Sequence, residues 1–179
     1  MRTICALIVI TLVSLVGCQR STDSGSPQEW QELAPEGSGF SIQFPGTPSE
    51  ESSSEATSFG VIDSAWFNLE PEGDERTYAL RYDDYPLGVV GLGEVWQLIF
   101  ARQKRLELEI EGKPLAETDV FLNEHAGKEI RFELPDGDIG IYRIFLIDQR
   151  MYQLSVSGSE EALAASEVTT TFLDSFKLL

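Results

Sequence analysis

Cysteine and histidine are almost missing from this 179-residue chain: it holds two cysteines, Cys5 and Cys18, and one histidine, His125. Both cysteines lie in the first 18 residues. Disulfides, thiolate catalysis and cysteine-ligated zinc are thereby excluded from everything that follows. The lone histidine has no second imidazole with which to share a metal. Positive charge is also scarce, with 13 Lys and Arg against 30 Asp and Glu, a formal net charge of −17. No lysine–arginine cluster overrides that sum, so nucleic acid is discarded as a partner and anionic lipid headgroups are repelled. The acidity suits a solvated surface or a basic partner. Only one long apolar run exists, Ile4 to Val16, broken by Thr11 and Ser14. At 13 residues it is shorter than the roughly 20 a bilayer-spanning helix needs.

That run follows Arg2 and ends in Leu15-Val16-Gly17-Cys18, just before a polar, turn-rich stretch. A charged start, a short apolar core and small residues at the end read as a secretion signal. The segment resembles the lipobox of bacterial lipoprotein precursors. The resemblance implies cleavage between Gly17 and Cys18 and diacylglycerol on the Cys18 thiol, with acylation of the new amino group as well. One acyl chain holds a protein only marginally, whereas two or three, at about 0.8 kcal/mol per buried CH₂, anchor it stably. The expected organisation is a signal peptide over 1–17, a flexible tether over 18–29 and one globular domain over 30–179. Cleavage would leave 162 residues, enough for a single core, and losing Arg2 would take the net charge from −17 to −18. The expected address is exported and periplasm-facing, lipid-anchored to the cell membrane or the outer membrane.

Alternation gives most of the secondary structure. Phe40, Ile42 and Phe44 alternate with Ser41 and Gln43, which predicts a half-buried strand stopped by Pro45-Gly46. Thr47 to Ser58 is low in apolar residues and reads as a solvent-exposed connection. Gly60–Leu69 and Thr77–Tyr85 form a predicted hairpin around Glu70-Pro71-Glu72-Gly73-Asp74. Val95, Ile99, Leu106 and Ile110 follow helical spacing over Gly93–Glu111, although Leu106 to Ile110 also alternates like a strand. Ile130, Phe132 and Leu134 predict a strand before the turn Pro135-Asp136-Gly137-Asp138. Ile139–Ile147 is apolar on both parities, which predicts a central strand covered on both faces. Tyr152, Leu154 and Val156 complete a meander. Ser157 and Glu160 have capping-box spacing for a C-terminal helix through Phe172, and Phe176-Lys177-Leu178 adds a short extended piece. The pattern gives an α+β fold: a three-layer α/β/α sandwich around a mainly antiparallel sheet, with the two amphipathic helices covering its faces.

This order of elements resembles the PsbP-like fold, shared by the photosystem II extrinsic protein, a yeast Ran-binding nuclear-import factor and several bacterial lipoproteins. The local resemblance lies in Gly39-Phe40-Ser41-Ile42-Gln43-Phe44-Pro45, Arg143-Ile144-Phe145-Leu146 with Tyr152-Gln153-Leu154, and Phe172-Leu173-Asp174-Ser175-Phe176. It covers about residues 37–179. These are packing motifs and place no binding residue on this chain.

Chemistry-bearing patterns are few. His125 falls in a turn, Asn123-Glu124-His125-Ala126-Gly127, and no serine sits in the Gly-x-Ser-x-Gly spacing of a nucleophile elbow. Asp83-Asp84 and Asp136-Gly137-Asp138 are the closest carboxylate pairs, but Ile139-Gly140-Ile141 offers none of the further ligands a calcium loop needs. Gly88-Val89-Val90-Gly91-Leu92-Gly93 lacks the Gly-Lys-Ser/Thr of a phosphate loop. Trp66, Tyr78, Tyr82, Tyr85, Trp96 and Phe100 cluster around the hairpin and first helix, as core or as the lining of an apolar groove. No catalytic residue, cofactor or metal is expected, and Cys18, the lipid attachment point, is the one functional residue assigned. The functional expectation is a non-enzymatic, membrane-anchored binding or assembly module with an envelope protein partner. The alternatives are a carrier or sensor of a small apolar ligand near the first helix, and a hydrolase using scattered carboxylates or His125.

Overall fold

The computed structural model describes residues 29–58, 60–90, 95–164 and 166–179. The expected signal segment, the tether up to residue 28 and Cys18 lie outside the described residues, as do Gly91, Leu92 and Gly93 of the glycine-rich stretch. The strands are β1 (Gln31–Leu33), β2 (Phe40–Phe44), β3 (Ser49–Thr57), β4 (Gly60–Leu69), β5 (Arg76–Asp84), β6 (Lys113–Leu122), β7 (His125–Glu133), β8 (Ile139–Ile147), β9 (Arg150–Gly158) and β10 (Lys177–Leu178). The helices are α1 (Leu87–Val90), α2 (Val95–Glu109), α3 (Glu160–Ala164) and α4 (Ser166–Asp174). The fold is α+β. An antiparallel seven-stranded sheet runs β3-β4-β5-β9-β8-β7-β6, beside a small sheet β1-β2-β10.

Strand β8 has the expected two-sided burial. Tyr142, Ile144 and Leu146 face a core formed with Ile99 and Leu106 of α2, Ile130 and Phe132 of β7, and Met151 of β9. Ile139, Phe145 and Ile147, on the other parity, join Tyr152, Leu154 and Val156 of β9 in a larger core. That second core is closed by Leu163 of α3, Phe172 and Leu173 of α4, and Phe40, Ile42 and Phe44 of β2. The expected helices supply only part of the cover on this face: β2, packed in the larger core and buried at four of its five positions, supplies much of the rest. Its Phe40 meets Phe67, Tyr82, Tyr152 and Phe176 at ring-centroid distances of 5.8–6.2 Å.

Three local readings change. Thr47–Ser58 is not simply a connection, because Ser49–Thr57 is a nine-residue strand in continuous antiparallel register with β4, from Ser49 opposite Asn68 to Thr57 opposite Gly60. It is an edge strand with neither face buried, so its sequence needs no apolar alternation. Glu50, Glu51 and Glu55 instead guard the edge against pairing with another chain. The opposite edge is β6, a strand the sequence pattern does not announce; it too is largely exposed, and it is broken by an irregularity between Pro114 and Ala116. The C-terminal helix is two helices, and its cap is Ser159, whose Oγ accepts from the Ala162 N–H at 3.1 Å. Ser157 lies inside β9, opposite Thr77.

The β4–β5 turn is held by Asp74. Its Oδ1 accepts from the Arg76 amide at 3.1 Å and Arg76 Nε at 2.6 Å, and its Oδ2 accepts from the Tyr78 hydroxyl at 3.0 Å. Burial alone would raise the Asp74 pKa, but the bonds from Arg76 and Tyr78 outweigh it and the net shift is downward. A depressed carboxylate stabilises the fold above its unfolded pKa, and that contribution is lost as pH falls through the folded value. Asp74→Asn is expected to cost about 1 kcal/mol at neutral pH. In urea titrations at a series of pH values, the gap to wild type should close as pH falls below the ordinary value of 3.8. A gap independent of pH would contradict this.

Candidate functional site

Helix α2 lies against β7 and β8 and places Ile99, Arg102, Gln103 and Leu106 on its buried face. On the side toward β9 and the end of β5 the contact is incomplete. There a cavity of about 230 Å³ opens between Leu98, Ala101, Arg102 and Arg105 of the helix and Tyr85, Leu146 and Met151 below it. The floor follows from register, because Leu146 and Met151 are cross-strand partners in the β8–β9 hairpin and share one face. Tyr85, just past β5, is fixed beside that hairpin by its N–H donating to the Gln149 carbonyl at 2.8 Å.

An apolar cavity of about 150 Å³ is enough to hold benzene, so this one admits a somewhat larger small molecule. Its polar residues are Tyr85, Arg102 and Arg105, and of the two arginines Arg102 is the buried one, only 5% exposed. The Nη1 of Arg102 donates to Glu109 Oε2 at 2.9 Å, while Glu109 Oε1 accepts from Arg105 Nε at 2.8 Å. Two guanidiniums thus share one carboxylate. Arg102 Nε is buried with no partner, and a buried unpaired donor costs about 1–3 kcal/mol, more when it is charged. Burial would raise the pKa of Glu109, but the hydrogen bonds and charges of Arg102 and Arg105 carry it below its ordinary value. Tyr85 is pushed up, first by burial and then by Asp83, with Arg102, Arg81 and Arg105 opposing.

Two other depressions contain arginine, and in both it is committed. At one end of the sheet, a space of about 440 Å³ is lined by His125, Asp84, Arg150 and Tyr152. Arg150 grips Asp84 through Nε–Oδ1 at 2.5 Å and Nη2–Oδ2 at 2.6 Å, and its Nη1 donates to the Ser38 carbonyl. Between β6 and α4, in a depression of about 430 Å³, Arg143 bridges Glu129 and Asp174, each at 2.6 Å. Both spaces are larger, but neither couples an apolar wall to an unpaired buried donor. The α2 cavity does, and it is the candidate site.

The sequence-marked residues are dispersed. The pleat sends Asp83 and Asp84 to opposite faces, Asp83 to Arg81 and Ser64, Asp84 to Arg150. They do not act as a carboxylate pair. Asp136 is a turn former, its Oδ1 accepting from the Asp138 N–H at 3.0 Å with Gly137 at φ 92° between them. His125 is the first residue of β7. Among the described residues no three or more His, Cys, Asp or Glu converge as a metal site. The aromatic cluster divides across the sheet: Tyr78 and Tyr82 belong to the larger core, and Trp66 stacks under Arg81 at 4.6 Å. Trp96 and Phe100 are 40% and 56% exposed, each beside a lysine. Tyr85 alone of the six lines the α2 cavity. The sequence signal for the site is Arg102 itself, three residues after Ile99 and four before Leu106, a charge on the apolar side of a predicted helix.

No protein-family model matches the chain, and no curated protein sequence does. Among solved structures it is similar to cyanobacterial PsbP (CyanoP) from Synechocystis, with a TM-score of 0.58 at 9% identity, covering 87% of this chain and 96% of that one. A protein of unknown function from Pseudomonas aeruginosa aligns with a TM-score of 0.40 at 9% identity, over 78% of this chain and 90% of that one. At such identities the likeness to cyanobacterial PsbP is one of fold alone: this chain has a PsbP-like fold.

Proposed function

We propose that this chain is a lipid-anchored, non-enzymatic binding module of the bacterial cell envelope, whose three-layer α/β/α domain takes a small, partly apolar ligand in the cavity beneath α2. The observation that carries the ligand site is Arg102, buried against an apolar cavity with its Nε unpartnered. The anchor rests on Leu15-Val16-Gly17-Cys18 at the end of a short apolar run, with residues 1–17 removed and 18–29 as tether. No helix among the described residues is long and apolar enough to cross a membrane. An acidic domain gains nothing from anionic headgroups, and two or three acyl chains on Cys18 would anchor it stably. The periplasm-facing side of the cell membrane or the outer membrane is the proposed address. Exposed Trp96 and Phe100 favour a second reading, an envelope protein partner docked on the outer side of α2.

Native mass spectrometry of the protein released from membranes in mild detergent tests both halves. The expected spectrum shows acyl chains on Cys18 and a dissociable small-molecule adduct on the domain. Cys18→Ser should abolish incorporation of a fatty-acid analogue. An unacylated, adduct-free chain would refute the proposal.

A further inference from the structure

We infer that the ligand of the α2 cavity is a monocarboxylate with a short apolar tail, its carboxylate held by the Arg102 guanidinium and its tail laid against Leu98, Leu146 and Met151. This rests on the reading of that cavity as the binding site and specifies what it takes. Charge is the first argument. In a chain of net charge −17, Tyr85 at the cavity wall feels three guanidiniums, Arg81, Arg102 and Arg105. The carboxylates that answer them are Asp83, paired to Arg81, and Glu109, shared by Arg102 and Arg105. Arg105 is the outer member of this group, its side chain 67% exposed and in range of Glu55 as well, so the charge left to the buried wall is that of Arg102, whose one carboxylate is shared. A single negative charge balances the cavity, whereas a doubly charged phosphate monoester would leave an excess of negative charge next to Glu109.

Hydrogen bonding is the second argument. Arg102 spends Nη1 on Glu109 and keeps Nε–H without a partner, closed off from water, so that a ligand at the cavity wall pairs it after a small shift of the guanidinium. A guanidinium presents its donors in a fixed fork that matches a carboxylate. A neutral alcohol accepts one weaker bond, and an aliphatic ligand leaves the donor unpaired. Shape supplies the third argument: Leu98, Ala101, Leu146 and Met151 offer no polar side-chain group, so the part of the ligand away from Arg102 is apolar.

Calorimetric titration of the anchored protein in nanodiscs tests this, with heats on empty nanodiscs subtracted. The probes are pentanoate, pentanol and pentyl phosphate. Pentanoate is expected to bind on the order of tenfold or more tighter than pentanol. In Arg102→Met, which keeps the apolar bulk and leaves Glu109 its Arg105 partner, that preference should vanish while pentanol binding persists. Arg102→Lys, which retains the charge and guards against misreading a folding defect, should keep part of the preference. Equal affinity for pentanol, tighter binding of pentyl phosphate, or a preference undiminished in Arg102→Met would each overturn the carboxylate assignment yet leave the cavity a binding site. No heat from any probe would overturn both.

Discussion

Phe40→Ala is expected to destabilise the domain by about 3–5 kcal/mol, measured as a fall in the urea midpoint at unchanged slope. Phe40 has no exposed surface and touches four other aromatic rings. Three of its neighbours, Phe67, Tyr82 and Tyr152, lie on the seven-stranded sheet, and the fourth, Phe176, precedes β10. The ring therefore stitches the small sheet onto the large one. Deleting it removes transfer free energy and leaves a cavity that four rigid rings cannot close. Against a typical domain stability of about 5–15 kcal/mol this is a large fraction. Phe100→Ala, at a position 56% exposed, is the internal control and should change stability by no more than about 0.5 kcal/mol. Equal losses at the two positions would contradict the assignment of the core.

Gly127→Ala carries the second large effect. Gly127 pairs with Phe145 across β7 and β8, and the Phe145 ring lies over it. A Cβ there would stand 2.3 Å from Phe145 Cδ1 and 2.6 Å from the Ile144 carbonyl oxygen. The ring is buried in the larger core and the carbonyl belongs to a central strand, so neither can retreat without moving others. The expected cost is about 1–3 kcal/mol or more, read by thermal or urea unfolding. At Gly112 the nearest atoms, at 2.8 Å, are the flexible end of Ile110, so Gly112→Ala should be far milder. A harmless Gly127→Ala would mean that β7 and β8 are not in the described register.

What was legible in the sequence follows the same physics. Strand β8 could be read because both its faces are buried and both parities are apolar. Helix α2 could be read from Ile99 and Leu106, and the competing alternation at Leu106 to Ile110 lost because only a helix buries Leu106 while leaving Leu108 80% exposed. Strand β3 was hidden because an edge strand exposed on both faces buries nothing, and β6 because only Val120 and Leu122 at its end pack on the core; the conformation of each is imposed by β4 or β7 rather than by its own composition. Ser157 imitated a cap because capping spacing carries no information about where the preceding strand stops. The cavity was hidden for a different reason. Its floor joins Tyr85 to Leu146 and Met151, more than 60 positions along the chain, through pairings that local patterns do not encode. Arg102 was the one clue in reach, a charge at an apolar position.

The claim that the cavity beneath α2 is a ligand site can be tested at a single atom. Met151 lines it, and the only other methionine is Met1. Carbon-13 labelling of methionine methyl groups therefore places one reporter inside the domain, identified by its loss in Met151→Leu. The expected result is a saturable shift of the Met151 methyl resonance on adding pentanoate to the anchored protein, lost at the same concentrations in Arg102→Leu, which removes the guanidinium without adding a second labelled methyl. A Met151 methyl that stays in place at saturating pentanoate would contradict the account.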